Sequence, residues 1–241
     1  MKQNLETYTS EDLKVWQTLF TRQVENLATK GSQRYLNCLE KMAPVLNDET
    51  IPDFKKIGEW FTLETGWKIE VVPGLIPVED FFDLLAEKRF CSSTWLRKME
   101  QLDYLEEPDM FHDVFGHIPL LADPEFSAFA ERFGQLGQQF KTNPFAVKAL
   151  QRLYWFTIEF GVLQSGDKIL SYGAGIMSSF GETNRVANHE CTFLPFELKK
   201  MIHHEFDTDV LQEEYYVITG FDELTKALDE LGLIFSRKIE F

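Results

Sequence analysis

Pro108-Asp109-Met110-Phe111-His112-Asp113-Val114-Phe115-Gly116-His117-Ile118-Pro119 sets two imidazoles five residues apart in an aromatic-rich segment. The chain holds only five histidines, so two of them here are a concentrated signal. On a regular helix, at about 100° per residue, positions five apart point roughly 140° away from each other. Both rings reach one ion only if the helix widens, bends or ends between them. Gly116 and Pro119 supply that irregularity. The spacing differs from a His-Glu-x-x-His pattern, in which a four-residue step aligns both rings. Farther on, Glu159 lies in the apolar run Leu153 to Val162, beside Tyr154, Trp155, Phe156, Ile158 and Phe160. A carboxylate in such company needs a partner. A divalent ion is sufficient, and Arg152 or Lys168 would serve as well. His112, His117 and Glu159 form a two-histidine, one-carboxylate set suited to non-haem ferrous iron with open positions. Zinc suits the same ligands. Spacing therefore says metal more firmly than it says iron.

Outward from this segment, helical periodicity dominates. Ser10 reads as a cap before Leu13, Trp16, Phe20, Val24 and Leu27, which recur at helical steps until Gly31. Ser32 opens a second helix, and residues 53–65 form a third that stops at Gly66. Lys68 to Val72 alternates like a short strand, Pro73-Gly74 is a turn pair, and Val78 to Glu87 is helical. Leu102 to Pro108 reads as a loop, with a helix over Met110 to Gly116 after it. Asp123-Pro124 starts the next helix. Pro144 to Leu163 reads as one long helix, apolar on most sides and therefore buried and central. After the glycine-rich bend Tyr172 to Gly175, helices are expected over Pro195 to His204 and Asp222 to Leu231, and strands over Tyr215 to Ile218 and Leu233 to Phe241. Few strands among many helices argue for a mostly α domain rather than a doubly wound sheet.

The 241 residues fit one large domain, with no internal repeat. A formal net charge of −15 and the lack of a basic stripe argue against nucleic acid and anionic membranes as partners. No apolar stretch reaches the length of a membrane span, and the first residues lack the apolar core of a signal peptide. Cys38, Cys91 and Cys191 are odd in number and widely spaced, which suits a reducing cytoplasm. Most of the 22 phenylalanines are core residues by expectation, and a minority could line a pocket for a flat ligand.

The block Tyr104-Leu105-Glu106-Glu107-Pro108 through Leu120 closely resembles the iron-binding signature of the pterin-dependent aromatic amino acid hydroxylases. Tyr154 to Gly161 is similar to that family's third-ligand segment, and Tyr172 to Glu182 to a further block. The likeness runs upstream through Thr65 to Ile69 and Val72 to Pro77, covering roughly Glu6 to Phe221. Within the family, the blocks look most like the bacterial, phenylalanine-hydroxylating branch. The resemblance implies the family's fold: a mostly α, single compact catalytic domain over residues 1–241, with many helices and a few short strands. It implies no regulatory or tetramerising domain, and hence a monomer. It implies Fe(2+) on His112, His117 and Glu159, a tetrahydropterin as reductant, and O2 as co-substrate. Arg97 would grip the substrate carboxylate, oriented by Asp109. Trp155 would wall the aromatic pocket, and Ser178 and Ser179 would lie near the substrate and behind His112. The pterin would lie on Gly74, Leu75 and Ile76, stacked on Phe81 and beside Asp113. The implied reaction turns L-phenylalanine into L-tyrosine, with another aromatic amino acid, tryptophan, as the alternative substrate. Two other classes stay open. One is a zinc hydrolase on the same ligands with Asp113 as base; the other is a pterin-binding protein without catalysis.

Overall fold

The computed structural model describes residues 1–103, 105, 107–208 and 210–236. Helix α1 (Ser10–Leu27) begins at a capping box, in which Thr9 Oγ1 accepts the Asp12 N–H and the Asp12 carboxylate accepts the Thr9 N–H. Thr9, not Ser10, is therefore the cap, and Ser10 is the first helical residue. Val24 is exposed rather than on the apolar face. Gln23 takes the inner position, because its amide donates to the Met177 carbonyl and to Thr183 Oγ1, each at 2.8 Å. Ser32 caps α2 (Gln33–Lys41) and Asp53 caps α3 (Phe54–Leu63), as their sequences indicate.

Strand β1 (Lys68–Val71) pairs in parallel with β2 (Arg89–Ser92), and α4 (Val78–Ala86) makes the crossover between them. Met110 and Phe111 form only the start of a regular turn. A first π-helix follows over His112–His117, then a 3-10 turn over Pro119–Ala122. Helix α5 (Pro124–Phe140) is capped by Asp123, and α6 (Pro144–Tyr154) by Asn143. Helices α4 and α5 touch backbone to backbone: a Cβ on Gly134 would stand 2.3 Å from the Ala86 nitrogen.

The long helix expected to Leu163 does not continue that far. Regular geometry stops at Tyr154, a second π-helix spans Trp155–Glu159, and β3 (Val162–Ser165) begins shortly after. The Gly161 carbonyl accepts the Tyr172 and Gly173 N–H groups at 3.0 and 2.9 Å, which draws the chain off the helical path. Next come β4 (Lys168–Ser171), α7 (Ala174–Met177), α8 (Phe180–Ala187), β5 (Thr192–Pro195), α9 (Leu198–Met201), β6 (Glu214–Ile218) and α10 (Asp222–Ser236). The strands form a four-stranded sheet in the order β4-β3-β6-β5, antiparallel only at β3–β4.

Two further expectations change. The helix expected from Pro195 reduces to α9, because Pro195 closes β5 at the sheet edge, where a missing N–H is tolerated. The strand expected from Leu233 is helix as far as Ser236, since Leu224, Leu228, Leu231 and Phe235 bury one helical face. The rest of that segment, and Tyr104 and Glu106 of the signature block, lie outside the described residues. The mostly α expectation holds: this is a helical single domain with short strands. No helix among the described residues is long and apolar enough to cross a membrane. The core wedges the histidine segment against α1. Phe111 and Phe115 stack at 4.8 Å, Trp16 meets Phe111 at 5.6 Å, and Phe20 meets Phe115 edge-on at 5.1 Å.

Candidate functional site

The five-residue histidine spacing is resolved by widening. In a π-helix the hydrogen bond runs from i to i+5, so residues five apart fall in line. Two local features favour the wide turn. Pro119 has no N–H to offer the Phe115 carbonyl four residues back, and the Tyr35 hydroxyl donates to it instead. Gly116 lets the turn press on α7: a Cβ there would sit 2.8 Å from the Ala174 carbonyl oxygen. The second π-helix carries Glu159, and the Phe160 N–H closes its turn on the Trp155 carbonyl at 2.9 Å. Both segments are thus π-helices, a rare geometry that is frequent at functional sites.

Together they bring the donors of His112, His117 and Glu159 within 4.8 Å of one another. His117 Nε2 lies 3.0 Å from Glu159 Oε1 and 3.1 Å from His112 Nε2; His112 Nε2 lies 3.6 Å from Glu159 Oε2. His112 and Glu159 keep 17% and 14% of their side-chain surface exposed, against 4% for His117. A ligand therefore approaches from the side of His112 and Glu159. Arg152, the rival partner for Glu159, pairs instead with Glu205 at 2.5 Å and the Ile202 carbonyl at 2.6 Å.

The protonation states fit a cation. Burial, more than any neighbour, pushes His112 down to about 4, so its ring is neutral near pH 7. Burial pushes Glu159 the other way, but the two imidazoles and the Tyr154 hydroxyl outweigh it and hold the carboxyl at about 2. Ser178 fixes the His112 tautomer. Its hydroxyl donates to the Ala174 carbonyl at 2.8 Å, which leaves its oxygen to accept from His112 Nδ1 at 3.0 Å. Nε2 of His112 then turns a bare lone pair towards Glu159 and His117. Lone pairs this close repel unless a cation or proton lies among them. Neutral imidazoles and an ionised carboxylate are the forms a divalent metal binds.

Around this cluster, Arg97 and Asp109 form a buried fork. Nε and Nη2 of Arg97 donate to the two Asp109 oxygens at 2.9 and 2.8 Å, and the Arg97 main-chain N–H adds a third bond at 2.9 Å. Nη1 donates to the Leu102 carbonyl at 3.4 Å, and the remaining N–H groups of Nη1 and Nη2 are left for a ligand carboxylate. Asp109 also accepts the His112 N–H at 3.1 Å, which ties the fork to the histidine segment. Asp113 accepts the Ser93 N–H at 2.9 Å, and burial pushes its carboxyl up to about 6. Phe81 meets Tyr154 edge-on at 5.2 Å, and Tyr154 lies over His117 at 6.2 Å. That aromatic series runs from α4 to His117. Gly74 faces open space, and Leu75 is 82% exposed. Half-buried Trp155 stacks on Phe206 at 4.5 Å and donates its indole N–H to Gln212 Oε1 at 2.9 Å. Ser179 does not join Ser178 behind His112, because its hydroxyl caps α8 by accepting the Glu182 N–H at 3.2 Å.

Sequence reasoning missed three neighbours. Phe90 packs on the His117 ring at 4.7 Å from β2. Tyr154 sits five residues before Glu159, the same spacing as the histidine pair, and that repeat was the available signal. Gln212 is 57 residues from Trp155, and no local pattern announces it.

The comparisons agree with this geometry. A profile of the biopterin-dependent aromatic amino acid hydroxylases matches residues 4–241. Phenylalanine-4-hydroxylase of Chromobacterium violaceum is 39% identical over 94% of this chain and 76% of its own length. That of Vibrio cholerae is 40% identical over 87% of this chain and 72% of its own. A Chromobacterium violaceum phenylalanine hydroxylase structure with bound iron(III) and oxidized 7,8-dihydrobiopterin superposes with a TM-score of 0.90. It is 37% identical, covering 100% of this chain and 88% of that one. The apo cold-active enzyme of Colwellia psychrerythraea gives 0.88 at 34% identity, over 95% of this chain and 88% of that one. The chain belongs to the biopterin-dependent aromatic amino acid hydroxylase family.

Proposed function

We propose that this chain is a phenylalanine 4-monooxygenase that converts L-phenylalanine and O2 to L-tyrosine at the expense of a tetrahydropterin. The observation that carries the reading is the meeting of His112, His117 and Glu159 donors within 4.8 Å, with the His112 ring neutral and the Glu159 carboxyl ionised near pH 7. Ferrous iron and tetrahydropterin, when bound, supply O2 activation and two electrons. The protein's own residues do the positioning. Arg97 offers its outer edge to the amino acid carboxylate, and Asp109 holds that guanidinium in place through the inner edge. Trp155 walls the space for the substrate ring. Ser178 keeps His112 in the tautomer whose Nε2 is free. Gly74, Leu75, Ile76 and Phe81 form the pterin platform, with Asp113 at its edge. Phenylalanine names recur among the relatives, and an indole wall leaves less room for a substrate indole, so phenylalanine is preferred to tryptophan. A monomer in a reducing cytoplasm suits the acidic chain and its three unpaired cysteines.

The test is product analysis. Protein loaded anaerobically with Fe(2+) receives a tetrahydropterin, O2 and, in separate reactions, phenylalanine, tyrosine or tryptophan. Tyrosine formed from phenylalanine, with one pterin oxidised per turnover, is the expected outcome. No hydroxylated product from any of the three would overturn the assignment.

A further inference from the structure

We propose that Gln212 is a positioning residue for the aromatic substrate, acting by holding the Trp155 ring at one angle in the pocket wall. The inference rests on the reading of Trp155 as that wall. Trp155 and Glu159 are the first and last residues of the second π-turn, so the wall and the carboxylate are carried by one short segment. Phe206 covers one side of it at 4.5 Å with the planes 13° apart, and Phe160 meets it at 4.6 Å and 43°, ring contacts that pack the indole without fixing the direction of its N–H. The acceptor of that N–H, Gln212 Oε1 at 2.9 Å, fixes it.

Gln212 has no freedom to turn away. Its Nε2 donates to the Glu214 carbonyl at 2.7 Å, so the amide can present only its oxygen to the indole. Its main-chain N–H donates to Glu182 at 3.1 Å, and the second Glu182 oxygen takes the Tyr215 hydroxyl at 2.5 Å. Gln212 and Glu182 are 8% and 5% exposed, so water does not readily replace either partner. Glu182 in turn sits in the first turn of α8, where its N–H donates to the capping Ser179 hydroxyl. A residue kept only to fill this space could be apolar. Three engaged polar groups, each with one forced partner, describe an anchor. Without the acceptor, a buried indole N–H has no partner, and the ring turns to find water.

The experiment combines two measurements on the full chain. In the first, the Trp155 indole N–H resonance is assigned by its loss in Trp155→Phe, and its solvent exchange is compared in wild type and Gln212→Leu. Exchange about tenfold faster in Gln212→Leu, with the other indoles unchanged, is the expected result. The second is a double-mutant cycle on kcat/KM for phenylalanine and on tyrosine formed per pterin oxidised. Gln212→Leu should lower both, kcat/KM by about tenfold, in the wild-type background and leave them nearly unchanged when Trp155 is already phenylalanine. Equal losses in both backgrounds, or an unaltered Trp155 indole signal, would overturn the proposal. A wild-type chain that hydroxylates nothing sinks the functional reading instead, and the indole measurement still decides whether the anchor exists.

Discussion

Ser178 shows how much one hydroxyl decides. It spends its only proton on the Ala174 carbonyl and so must accept from His112. Ser178→Ala removes that acceptor and frees the ring to take either tautomer. Fe(2+) affinity should fall about 10–100-fold with little loss of thermal stability, measured by calorimetric titration under argon. Unchanged affinity would show that another group orients the ring. Asp109 makes a second prediction. Burial favours its neutral form, yet Arg97 and two main-chain N–H groups hold its carboxyl below the ordinary 3.8. The unfolded chain therefore takes up the proton first as acid is added. Asp109's contribution to stability is full above the ordinary carboxylate range and drains away as pH falls through the depressed value. Asp109→Asn should thus be clearly less stable than wild type at about pH 7, with the gap narrowing below about pH 4. Urea melts across that range would reveal it; a constant gap would mean that Asp109 contributes only shape. At this scale the sequence is legible where spacing speaks, as for His112 and His117. The roles of Arg97, Ser178 and Gly74 are not legible from their own neighbourhoods. Ser178 meets His112 across 66 residues and Arg97 meets Asp109 across 12, and family resemblance rather than periodicity pointed to them and to Gly74.

The π-turn is the element that converts a five-residue spacing into a shared face. Pro119 and Gly116 could be read as irregularity, but the direction of that irregularity depends on Tyr35 and Ala174, which come from other parts of the chain. Gly116→Ala tests the arrangement. Its methyl would meet the Ala174 backbone oxygen at 2.8 Å, so α7 and the π-turn must separate. A loss of about 1–3 kcal/mol in denaturant unfolding is expected, together with weaker Fe(2+) binding. Stability and affinity both at wild-type level would show that the contact yields freely. The same reasoning explains why the apolar pattern to Leu163 overstates the length of the helix. Its apolar pattern continues through Val162, and only the bonds from Tyr172 and Gly173 to Gly161 redirect it. Of the four-residue strands, β1 is announced by its alternation and the turn pair Pro73-Gly74, whereas β2 and β5 have no such flanking pair.

Across the whole molecule, helices and core are arranged to hold two π-turns face to face. The first leans on α1 through Phe111 and Phe115, and the second continues α6 into the central sheet. An ion that binds only this folded arrangement must stabilise it. At 100-fold excess over the dissociation constant, Fe(2+) should add about 2.7 kcal/mol, read as a concentration-dependent rise in melting temperature. Net charge argues only about partners, and the sheet order β4-β3-β6-β5 had no trace in composition. The account turns on one ion held jointly by three side chains. Iron content after anaerobic loading and desalting, measured per chain, tests this most directly. Wild type should retain one Fe(2+) per chain, and His112→Ala, His117→Ala and Glu159→Ala, each folded by circular dichroism, should retain almost none. Full retention in any one of these variants, or none in wild type, would contradict it.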